Sequence, residues 1–106
     1  MGKYAVFRTP IFSDKISFFS DNYMKQVDKI EDQLEENPYV GRPLGTKWFR
    51  EKRLNGWRVY YLIYEDLKAV YIITLSDKKD QQKTINTIKM FLEKFKKEIE
   101  DLIHEN

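Results

Sequence analysis

The chain has 106 residues, 42% of them hydrophobic and 15% aromatic, enough for one compact core and too few for two. Cysteine is absent, which excludes disulfides and thiolate metal sites and suits a reducing cytoplasm. The formal net charge of +2 excludes a uniformly basic polyanion binder, and the start MGKYAVFRTP lacks the apolar run of a signal peptide or membrane span. A single soluble domain over 1–106 is expected.

In chain order, Tyr4 to Arg8 reads as a short strand, and Thr9-Pro10 supplies a helix N-cap and a first helical residue. Phe12, Ile16 and Phe19 recur at helical spacing. A second helix is expected from Asp21 to Glu36, with Met24, Val27, Ile30 and Leu34 on one face, stopped by Asn37-Pro38. Tyr39 to Thr46, with two glycines and a proline, reads as an ordered loop. Trp48 to Leu54, Trp57 to Tyr64 and Ala69 to Leu75 read as three antiparallel strands, the last two joined by a turn at Glu65 to Lys68. From Gln81 one long helix carries Ile85, Ile88, Phe95, Ile99 and Leu102, with Ile99, Leu102 and Ile103 expected to be less buried than Ile85 and Ile88. The order β-α-α-β-β-β-α predicts an α+β domain with helices on one face of a mainly antiparallel sheet.

Asn55-Gly56 is a strong signal for a two-residue hairpin of type I′, and it sets the pairing. Leu54 then faces Trp57, Arg53 faces Arg58, Lys52 faces Val59 and Glu51 faces Tyr60. Alternation places Leu54, Trp57, Val59, Tyr61 and Ile63 on the core face, and Glu51, Arg53, Arg58, Tyr60 and Leu62 on an open one. Two arginines opposite each other repel unless an anion lies between them. Guanidinium holds phosphate in a bidentate fork, so a phosphate is one candidate ligand; the alternative is a solvated charged face, with Arg53 bridged by Glu51 or by an acid of the last helix. The local charge agrees, since Arg42, Lys47, Arg50, Lys52, Arg53 and Arg58 stand against the single Glu51 between residues 42 and 58. Tyr60 offers a hydroxyl, and Trp57 and Tyr64 offer faces on which unpaired bases can stack.

Other sites are poorer. His104 lies near the C-terminus, Asp77 and Asp80 suit turn and N-cap duty, and the glycines form no phosphate loop, so neither a metal nor a cofactor is expected.

The motifs N-P-x-x-G-R-P-L, R-E-K-R-L-N-G-W-R-V-Y-Y-L-I-Y and V-Y-I-I-T-L-S-D-K-K-D-Q-Q together resemble the RelE/ParE superfamily of type II toxins, archaeal RelE-like proteins most of all. The resemblance spans residues 4–82. It implies a ribosome-dependent, metal-independent mRNA endoribonuclease that inhibits translation and is neutralised by a cognate antitoxin. Arg58 matches the arginine of the family's G-x-R and would hold the scissile phosphate, Arg53 matches a basic position on the preceding strand, and Lys78 matches the basic residue after the last strand. Lys47, Arg50, Lys52, Tyr60, Trp57 and Lys79 are the expected RNA contacts. Where bacterial RelE carries two lysines on the first hairpin strand, this chain has Phe49 and Glu51, and Thr84 stands where the family has a tyrosine. The superfamily also implies two alternatives: a ParE-like inhibitor of DNA gyrase, and a catalytically silent homologue that binds RNA or a partner.

Overall fold

The computed structural model describes residues 2–105. Five strands form one sheet: β1 Ala5–Arg8, β2 Arg42–Thr46, β3 Phe49–Leu54, β4 Trp57–Tyr64 and β5 Ala69–Asp77, in the spatial order β1-β5-β4-β3-β2. Only β1 runs parallel to its neighbour, pairing Ala5–Arg8 with Ala69–Ile72. The helices are α1 Pro10–Ile16, α2 Asp21–Glu36, α3 Gln81–Met90 and α4 Leu92–His104. The class is the expected α+β one.

Local chemistry explains the early elements. Thr9, extended and buried, accepts a hydrogen bond from the Phe12 amide at 3.0 Å and donates to the Ile73 carbonyl at 2.6 Å, so one hydroxyl caps α1 and pins it to β5. Ser20 caps α2, which buries Val27, Ile30 and Leu34 as its spacing requires, while Met24 stays exposed at the margin of the stripe. The hairpin register is the expected one in every pair, from Leu54↔Trp57 to Glu51↔Tyr60. Asn55 takes φ 55° but Gly56 lies outside the left-handed region, so the turn keeps that register without full type I′ geometry.

Three expectations are corrected. Residues 39–46 are not a loop throughout: a 3-10 turn at Pro38–Val40 leads into β2, an edge strand interrupted by a register shift between Pro43 and Thr46 where Gly45 takes φ 90°. Glycine and proline here mark the irregular edge of a sheet. Helices cover both faces of the sheet, not one. Beneath α1 and α2 lie Leu54, Val59, Tyr61, Ile63, Val70, Ile72 and Leu75, whereas Phe49, Tyr60, Leu62, Tyr71 and Ile73 pack on the other side with Ile85, Ile88, Phe95 and Ile99. The long C-terminal helix is broken at Phe91, whose φ of −119° leaves the helical region, and this lets α3 and α4 both lie on that second face. Ile99 is consequently wholly buried, more so than Ile85 or Ile88, while Leu102 and Ile103 are the half-buried residues expected.

Candidate nucleic-acid interface

The second sheet face is covered by α3 and α4 only in part. Beyond Tyr60 towards the Asn55 turn the sheet emerges and carries a cleft of about 580 Å³, lined by Val40, Gly41, Arg42, Glu51, Lys52, Arg53, Arg58, Lys78 and Gln81. The geometry follows from register. Arg42 pairs with Glu51 and Glu51 with Tyr60 in one row, and Arg53 pairs with Arg58 and Arg58 with Ser76 in the next. Lys78, directly after β5, reaches the same cleft, so Arg53, Arg58 and Lys78 are brought together as expected.

Burial separates this patch from an ordinary charged surface. Among the described residues the buried polar side chains are Thr9, Glu51, Arg58, Thr74 and Ser76, and all but Thr9 belong to this end of the sheet. Arg58 is 5% exposed and donates through one terminal nitrogen to the Gly56 carbonyl at 3.2 Å, yet its buried Nε has no hydrogen-bond partner. An unsatisfied buried donor costs about 1–3 kcal/mol, more when charged. A second arginine across the strand adds repulsion. The arrangement is set to receive an anion with several acceptor oxygens.

Glu51 is also 5% exposed and accepts from the Gln81 amide nitrogen at 2.8 Å; its other oxygen lies 3.9 Å from Nε of the largely exposed Arg42. The Tyr60 ring is wholly buried, its hydroxyl 2.8 Å from the Ser76 hydroxyl, and burial pushes the phenol above its ordinary range. It is therefore floor beneath the cleft and not the open-face contact expected. Of the residues expected on the open face, Glu51, Arg53 and Arg58 line the cleft, while Leu62 is buried with Tyr60 under α3 and α4.

The remaining expected contacts divide. Lys52 lines the cleft, and Lys79 is exposed beside it in sequence. Arg50 does not line it: its guanidinium donates to the carbonyls of Lys47, Tyr39 and Gly41 and lies over the Tyr39 ring. Together with the Tyr61 hydroxyl, which donates to the Pro38 carbonyl at 2.6 Å and accepts from the Gly41 amide, it braces the turn that carries Gly41 and Arg42 into the cleft. Lys47 lines a different cleft, with Tyr39, Trp48 and Leu92. Trp57 packs edge-on against Phe19 on the α1/α2 face, its ring centroid 5.0 Å away, and Tyr64 packs into the α3/α4 core. Arg42 and Gln81 are the cleft residues that spacing did not point to: Arg42 stands in a segment read as a loop, which has no register to assign, and Gln81 at the entry of a helix.

Other expectations settle locally. Asp80 stands at the start of α3 without capping it; the Asp77 carboxylate accepts from the Asp80 amide at 3.0 Å instead. Thr84 lines neighbouring clefts beside Lys15 and Asp80, apart from that of Arg58. Among the described residues no group of three His, Cys, Asp or Glu side chains is placed to hold a metal ion, and no helix is long and apolar enough to cross a membrane.

Residues 13–82 match the family model of the ParE toxin of type II toxin-antitoxin systems, parDE, which takes in the whole sheet from β2 onward and the start of α3. The chain belongs to this toxin family, within the RelE/ParE superfamily. Solved structures share the fold. RelE in the archaeal RelE-RelB complex from Pyrococcus horikoshii superposes with a TM-score of 0.64 at 19% identity, covering 72% of this chain and 96% of that one. A variant of E. coli RelE in the free state gives 0.70 at 14% identity, covering 85% and 98%, and the intact E. coli RelBE complex gives 0.63 at 15%, covering 70% and 95%. No curated protein matches the sequence significantly.

Proposed function

We propose that this toxin is a cytoplasmic, ribosome-dependent mRNA endoribonuclease that needs neither metal nor cofactor, inhibits translation and is held silent by a cognate antitoxin of the RelB type. The observation that carries the reading is the buried, unpartnered Nε of Arg58 at the floor of a cleft with four further cations along its wall. Such a cradle suits a phosphodiester that gains negative charge as it reacts, because preorganised donors stabilise the transition state most where water is excluded. Arg58 and Arg53 would hold the non-bridging oxygens, and Lys78 the departing one. Lys52 and Lys79 lie where the flanking phosphates would run. The occurrence of this fold in RelE-RelB complexes supports an antitoxin partner.

The test is induction of the toxin followed by primer extension on cellular transcripts. New 5′ ends inside translated messages are expected with the wild-type chain and not with Arg58→Ala. Growth arrest without such ends would reject the reading. A second reading, inhibition of DNA gyrase, is favoured by the ParE character of the matched family model. Gyrase supercoiling measured with the purified toxin separates the two, since a nuclease leaves the supercoiling rate unchanged.

A further inference from the structure

Arg58 Nε has a counterpart of opposite sign in the same cleft. Glu51 is the buried acid of the described residues, and burial of a carboxylate costs several kcal/mol unless it is well compensated. Its compensation is thin: one neutral amide at 2.8 Å and one solvent-exposed guanidinium at 3.9 Å. Every other charged group lining the cleft, Arg42, Lys52, Arg53, Arg58 and Lys78, is a cation and offers protons only. The register makes Glu51 the diagonal neighbour of Arg58, because it sits opposite Tyr60, two residues further along β4. Diagonal positions on one sheet face lie about 7–8 Å apart. A ribose hydroxyl adjoining a phosphate held by Arg58 is therefore within reach of Glu51.

We propose that Glu51 is a catalytic residue, the general base that activates the ribose 2′-hydroxyl of the RNA held by Arg58; this rests on the nuclease reading above. The Glu51 carboxylate takes the 2′-OH proton as that oxygen forms its bond to phosphorus. The bond from phosphorus to the 5′ oxygen breaks, and the departing oxygen takes a proton from the Lys78 ammonium. The products are a 2′,3′-cyclic phosphate and a 5′-hydroxyl, and solvent returns the proton from Glu51 to Lys78. Gln81 at the first turn of α3 holds the carboxylate in place, and Arg42, Lys52, Arg53, Arg58, Tyr60 and Lys78 are the titratable groups that share the cleft or pair with it.

The experiment compares wild type, Glu51→Gln and Glu51→Asp on messenger RNA bound to programmed ribosomes, over a range of pH, with RNA affinity and melting temperature measured alongside. Glutamine keeps the shape and the hydrogen bond to Gln81 but cannot accept the proton. Expected for Glu51→Gln is a cleavage rate lower by ~10²–10⁴-fold, the span of general base catalysis, with affinity and melting temperature preserved. That deficit should narrow as pH rises and hydroxide substitutes for the missing base, and aspartate should restore part of the rate. A Glu51→Gln rate equal to wild type, or a deficit constant across pH, overturns the assignment while leaving the nuclease reading in place. Wild-type protein that leaves RNA intact overturns both.

Discussion

Two polar clusters sit towards opposite ends of the sheet, and they differ in whether their partners are already present. Beside the turn after β4, the Glu65 carboxylate accepts from the hydroxyls of Tyr4 at 2.8 Å and Tyr39 at 2.6 Å and forms an ion pair with Lys68. Those partners, Lys68 foremost, hold the carboxyl down to about 2, and the bond to Glu65 pushes the Tyr39 phenol up to about 12. The cluster is exposed yet complete, and it ties β1, the 3-10 turn and the β4–β5 turn together. The Arg58 cluster is buried yet incomplete, with a guanidinium nitrogen unmatched and one carboxylate oxygen facing only an exposed arginine at 3.9 Å. A closed network exposed to water maintains structure, whereas an open network shielded from water awaits a ligand.

That contrast can be broken by experiment. Arg58→Ala should cost ~10²–10³-fold in cleavage, the loss typical of one preorganised donor, while the melting temperature stays level or rises because an unsatisfied buried donor has been removed. A clear fall in melting temperature would show the guanidinium to be structural. Gly41→Ala should be the most damaging change to stability: an added Cβ would lie 2.4 Å from the Tyr61 hydroxyl and 2.6 Å from the Glu51 carbonyl. The strain should amount to about 1–3 kcal/mol, read by denaturant unfolding, and it should also lower activity by shifting Arg42 and Glu51. Arg53→Ala, at an exposed position, should weaken RNA binding less than Arg58→Ala and flatten its dependence on salt by about one counterion.

The Glu65 cluster gives the smallest and most acid-dependent effect. Its folded carboxyl titrates below the ordinary 4.5, so its contribution is fully present above about pH 4.5 and is lost as pH falls towards 2. Melting temperatures of wild type and Glu65→Gln should therefore differ near neutrality and converge at about pH 2. A difference that persists at pH 2 would assign the stabilisation to the tyrosine hydroxyls and not to charge.

Much of this was legible from residues alone, for identifiable reasons. A two-residue turn leaves one register for β3 and β4, so the sequence alone puts Arg53, Arg58 and Glu51 on one face. The cap at Thr9 and the stripe of α2 are equally local, whereas the Ser20 cap of α2 is seen only in the structure. What the residues alone do not show is decided at long range. Period-two alternation shows that Tyr60 and Leu62 share a face with Arg58, but not that α3 and α4 come back to cover them. Nor does a helical stripe that keeps its phase through Phe91 reveal a break there. Arg50 and Arg42 carry the same charge, yet one is spent on three carbonyls and the other lines the cleft, a distinction that depends on where the turn at Pro38–Val40 lies.

The parallel pairing of β1 with β5 bears on how the toxin comes into being. Thr9 meets Ile73 across 64 positions of chain, and Lys78 enters the cleft only with the strand that makes this contact. The arginine hairpin closes over two residues and forms early, while the β1–β5 closure carries the entropy of a long loop and comes late. During synthesis the arginines are thus assembled well before the lysine joins them. The cleft is completed in two stages, its arginine pair by a local turn and its lysine by a closure between distant parts of the chain.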